Sequence, residues 1–163
     1  MWASLEAHLG SWQVARVVHG AIIGLALVVA LEDHPPAPAA MAGWMLGTAV
    51  TVALAEGYSE IVGIETSERH RLTRPQLAHL LERTGAVAFG VVFPAVFFVL
   101  AAVGLMKMGT AFTVAKWSGV GLIGFYGFWA ARFAGAGLVR ALGYGVLAGL
   151  IGAVLIVLKA LVH

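Results

Sequence analysis

Five apolar runs, each about as long as a bilayer is thick and each closed by a polar or glycine-bearing turn, constrain this chain more than any motif in it. A helix rises about 1.5 Å per residue and needs about 20 apolar residues to cross the hydrocarbon. The runs fall at residues 14–31, 39–64, 85–106, 110–133 and 137–162. They are continuous rather than alternating, and in lipid each segment must satisfy its own backbone hydrogen bonds, so helices are expected and a barrel is not. Hydrophobic residues make up 61% of the chain and charged ones 11%, which excludes a soluble globular domain. The expected fold is all-α, a polytopic integral membrane protein with five transmembrane helices in a single membrane domain over residues 1–163.

The segments around these runs refine the expectation. Trp2, Leu5, Leu9 and Trp12 share one helical face within residues 1–13, the pattern of an N-terminal amphipathic helix lying in the membrane interface. Only Arg16 precedes the first apolar core as a basic residue, so that run is expected to be kept as a span rather than cleaved as a leader. Pro35 and Pro36 end it. The polar segment 65–84 contains Thr73, Pro75 and Gln76, which predict a helix start that runs on into the third span. Pro94 is expected to bend that span. Gly43, Gly47 and Thr51 predict a close-packed seam in the second span, and Gly145 and Gly149 another in the fifth. Lys116 is expected to snorkel outward.

Charge placement sets the orientation. With the amino terminus inside, Arg16, the four arginines of segment 65–84, Arg132 and Arg140 all fall on the cytoplasmic side, leaving the three lysines opposite. The positive-inside rule then predicts a plasma (inner) membrane protein with a cytoplasmic N-terminus and an external C-terminus. A formal charge of +2, with basic residues split among turns, excludes a nucleic-acid surface. The absence of cysteine excludes disulfides and thiolate sites. Ser59 and Ser118 have no evident base partner and no His-Glu-x-x-His motif occurs, so no enzymatic chemistry and no permanently bound cofactor is expected.

The second run alone carries carboxylates toward lipid depth. Glu56 and Glu60 lie four residues apart, on one helical face. Intramembrane acids face a bundle interior or a wet cavity and mark function by default. Counting from the same membrane surface puts His19 of the first span at a comparable height. Carboxylate oxygens and a neutral imidazole suit a divalent ion such as Fe²⁺, Mn²⁺ or Zn²⁺, and such ligands exchange protons for metal. The alternative is that the two acids pair with interfacial arginines such as Arg69 or Arg16.

The order Glu56-Gly57-Tyr58-Ser59 resembles the Gly-Glu-Tyr motif and following serine in the second helix of the vacuolar iron transporter family. His19-Gly20 stands where that family has Asp-Gly, and the stretch from Phe128 to Arg132, through Arg140 to Leu161, is similar to its basic turn and glycine-rich last helix. The polar insert is too short for the family's cytoplasmic metal-binding domain. The resemblance implies a homodimer that exports divalent cations in exchange for protons, with His19, Glu56 and Glu60 as metal ligands and Tyr58 and Ser59 as supporting polar groups. A membrane interaction or scaffold protein without transport is the other function open to such a chain.

Overall fold

The computed structural model describes residues 11–68 and 73–162, all helix and turn with no strand among them. The expected amphipathic helix falls almost wholly on residues outside this range. Six helices follow in order: α1 (Ser11–Leu31), α2 (Pro38–Glu68), α3 (Arg74–Val92), α4 (Ala95–Ala102), α5 (Met108–Phe133) and α6 (Leu138–Val162).

Local chemistry sets the helix ends. Pro38 occupies the first position of α2, where its missing N–H costs nothing, and Met41 N–H closes the first turn onto Ala37 O at 3.0 Å. At the start of α3, Thr73 N–H donates to Gln76 Oε1 at 2.8 Å, the reciprocal bond of a capping box. Gly104 and Gly135 terminate α4 and α5 with φ of 80° and 83°. Beyond each, the next N–H reaches five residues back, Leu105 to Leu100 O at 2.9 Å and Ala136 to Ala131 O at 3.0 Å, as in a Schellman motif. Only glycine adopts that backbone conformation without a Cβ penalty.

Helices α3 and α4 are one apolar run broken at Pro94, with a 50° bend between them, as the proline predicts. Among the described residues three helices, α1, α2 and α6, are long and apolar enough to cross a membrane, or four if the bent pair counts as a single span. The expectation of five is therefore met only in part. Helix α5 is long enough at 26 residues, but Lys116, Trp117 and five glycines lower its apolar character.

Helix α1 is the centre of the bundle, packing against α3, α5 and α6, while α2 lies against α3 and α4. One core cluster gathers Val28, Met41, Met45, Phe98 and Phe112, the last two rings edge to face at 4.9 Å. A second joins Leu25 and Val29 to Ile123. Met41 and Met45 are fully buried, which makes them packing residues. Backbones come closest where α1 crosses α3: a Cβ on Gly20 would sit 2.0 Å from Val87 O, and one on Gly90 would sit 2.4 Å from Val17 O. Gly145 and Gly124 let α6 approach α5 in the same way, as the glycine spacing in the last run predicts. Among the described residues, the expected seam at Gly43, Gly47 and Thr51 is not formed within one copy. No atom lies within 4 Å of where a Cβ would stand on either glycine, and Thr51 is exposed. The buried face of α2 is instead the one carrying Met41, Met45 and Ala49.

Candidate functional site

The described residues contain no buried polar or charged side chain, so the core of the bundle is apolar. Ionisable groups collect at its two ends, and because successive spans run antiparallel, each end draws on several helices. Arg16 on α1 and Glu32 just past its end are 16 residues apart, about 24 Å along the axis, somewhat less than the hydrocarbon thickness of about 30 Å.

At the arginine-bearing end, α1, α2 and α3 meet around the acidic stripe. Arg16 Nη1 donates to Glu56 Oε2 at 2.9 Å and Nη2 to Glu60 Oε2 at 3.0 Å. The planar fork of one guanidinium thus bridges two carboxylates four residues apart on one helix. Arg83 of α3 pairs with the other oxygen of Glu60. The second oxygen of Glu56 faces His19 Nε2 at 3.3 Å. The two arginines and two glutamates balance in charge, and the cluster is partly sheltered: Glu60 is 17% exposed and Arg16 23%, while His19 remains 57% exposed.

The structure sets His19 beside Glu56, and Arg16 joins Glu56 to Glu60. It also realises the alternative pairing, with Arg16 as the partner; Arg69 lies outside the described residues. Glu56, Ser59 and Glu60 share one helical face and, with Arg16 and Ala55, line an open cleft of about 560 Å³ between α1 and α2. Tyr58, two residues and about 200° around the helix from Glu56, is exposed and is not among the cleft's lining residues. Among the described residues no group of three or more His, Asp or Glu side chains forms a ready metal-binding set. As arranged, a dication held by His19, Glu56 and Glu60 has to displace the Arg16 guanidinium.

The opposite end holds a second set of ion pairs. Glu32 Oε1 meets Lys116 Nζ of α5 at 2.5 Å, and Asp33 Oδ2 meets Lys159 Nζ of α6 at 2.8 Å. Lys116 thus extends from about two turns inside α5 to a carboxylate in the turn after α1 and is only 17% exposed, held by a partner in this protein. Depth counting puts the acidic turn after α1 and Lys159 in the last turn of α6 at one level, whereas Lys116, eight residues or about 12 Å inside α5, reaches that turn with its long side chain.

No protein-family model, curated protein or solved structure matches the chain.

Proposed function

We propose that this chain is a five-span membrane protein, α5 included, that moves divalent transition-metal cations across the membrane in exchange for protons, as a homodimer. The observation that carries the reading is that Glu56 and Glu60 line an open cleft at the flank of the bundle, between α1 and α2, with His19 Nε2 3.3 Å from Glu56, while the core is apolar. A path for a hydrated ion then belongs at that flank rather than inside one copy. Both bordering helices carry small or short residues outward there, Ala15, Ala26 and Ala30 on α1 and Gly43, Gly47, Thr51 and Ala55 on α2, so a second copy can approach closely. Pairing two copies doubles the ligand number. Arg16 acts as the resident counter-cation of the empty site, and two carboxylates taking up two protons balance one dication. The arginine-bearing end is cytoplasmic, in an inner (plasma) membrane. The resemblance to vacuolar iron transporters supports the same reading through Glu56, Tyr58, Ser59 and the position of His19.

The test is uptake of Fe²⁺, Mn²⁺ and Zn²⁺ into proteoliposomes under an imposed pH gradient, with Glu56→Gln beside the wild type. Uptake above the lipid leak that the variant loses is the expected result. Equal leak-level signals in both favour the second reading, a membrane scaffold, in which the bridging of both acids by Arg16 is purely structural.

A further inference from the structure

We infer that the groove between α5 and α6 is a binding site for one anionic phospholipid, its phosphate on Arg140 and one acyl chain along the apolar floor. The groove encloses about 750 Å³ at the Ala134–Gly135–Ala136 turn. Its α5 wall is made of small residues, Gly127, Ala130 and Ala131, continued by Ala134 of the turn, and its α6 wall carries Arg140, Tyr144, Leu147 and Ile151. Those four recur at spacings of four, three and four residues, so they form one continuous stripe on the helix, charged at the turn, aromatic next and aliphatic below. From Arg140 to Ile151 is 11 residues, about 16 Å, which matches half of a hydrocarbon core of about 30 Å. The groove thus runs the depth of one leaflet with its cation at headgroup level.

Charge complementarity selects the occupant. The nearby Arg132 is engaged in holding the turn, its Nη1 donating to Ala136 O at 2.9 Å. Arg140 is exposed and has no carboxylate partner among the described residues. A zwitterionic lipid brings its own cation to this point, whereas a phosphatidylglycerol-type headgroup leaves a net negative phosphate for the guanidinium. The site lies on α5 and α6, apart from the ion-pair cluster of α1, α2 and α3, and is independent of the transport reading.

Delipidated protein in detergent, offered equal amounts of phosphatidylglycerol and phosphatidylcholine of matched chains, is examined by native mass spectrometry. Wild type is expected to retain phosphatidylglycerol about fivefold over phosphatidylcholine, the worth of one interfacial arginine. Arg140→Gln brings the ratio to about one, Arg140→Lys keeps most of it, and Arg74→Gln, on the same membrane face but away from the groove, leaves it unchanged. Ala134→Leu, at an exposed position, fills the groove and lowers occupancy by both lipids. A wild-type ratio near one, an unchanged ratio in Arg140→Gln, or an equal drop in Arg74→Gln overturns the inference. So does an Ala134→Leu variant that keeps its lipid, or that loses association between copies instead, because the groove then belongs to a second chain.

Discussion

Arg16 donates to Glu56 across 2.9 Å and across 40 residues of chain, and this bond with its twin to Glu60 ties α1 to α2. The two helices otherwise rest mainly on α3 and other partners rather than on each other. The cleft between them is thus held at its charged end by Arg16, with His19 of α1 also against Glu56.

Arg16→Gln is expected to remove both charge-assisted bonds and lower stability by about 2 kcal/mol, within the range for hydrogen bonds to charged groups. Arg16→Lys recovers part of this, since a single ammonium lacks the fork that spans two carboxylates. If the acids take a dication in place of the guanidinium, Mn²⁺ raises the melting temperature of Arg16→Gln more than that of the wild type. Thermal unfolding in detergent with and without Mn²⁺ measures both effects, and equal Mn²⁺ increments speak against displacement.

The crossing of α1 and α3 is expected to be the least tolerant point of the fold. A Cβ on Gly90 would meet Val17 O at 2.4 Å and Ala21 N at 2.6 Å, both backbone atoms that no rotamer change can move. Gly90→Ala is expected to cost about 1–3 kcal/mol, the usual penalty for overpacking. Gly121→Ala on α5, with nothing within 4 Å, is the control and is expected to leave the melting temperature unchanged or slightly higher. Similar losses in both variants would mean that glycine acts there through the backbone alone.

At the lysine-bearing end, Glu32→Gln and Lys116→Gln are expected to be coupled. Lys116 is 17% exposed and Glu32 32%, between a free surface pair and a buried one, so a double-mutant cycle should return about 1–2 kcal/mol. A coupling near zero would identify the pair as a surface contact without consequence for stability.

The legible parts of this molecule are those fixed by the chain's own neighbours. Thr73 and Gln76 mark the start of α3, Pro94 its bend, and the Gly145–Gly149 repeat the contact with α5, because caps, kinks and close approach depend on residues a few positions apart. The depth of an ionisable group is also countable along a helix, which is why His19, Glu56 and Glu60 could be placed at one level. What depth counting cannot supply is rotation. The seam assigned to Gly43 and Gly47 lies on the outer side of α2, because every side of an all-apolar helix suits lipid and suits protein, and only tertiary packing chooses between them. The Schellman ends at Gly104 and Gly135 were hidden among many other glycines for a similar reason.

That outward stripe leads to the last expectation. Among the described residues of one copy nothing lies within 4 Å of where a Cβ would stand on Gly47, so a leucine there has room and the fold should survive it. Between copies the same leucine stands between two helices that need small residues to approach. Gly47→Leu is therefore expected to keep the helical content and melting behaviour of the monomer while shifting a dimer to monomer in detergent, read by mass photometry or light scattering. Met45→Ala is the opposite case, since Met45 is fully buried against Phe98 and its neighbours; it should cost about 2–5 kcal/mol without changing association directly. If Gly47→Leu leaves the mass unchanged, the stripe faces lipid, the cleft at His19 and Glu56 is open to the bilayer on its flank, and a transport path shared between copies loses its support.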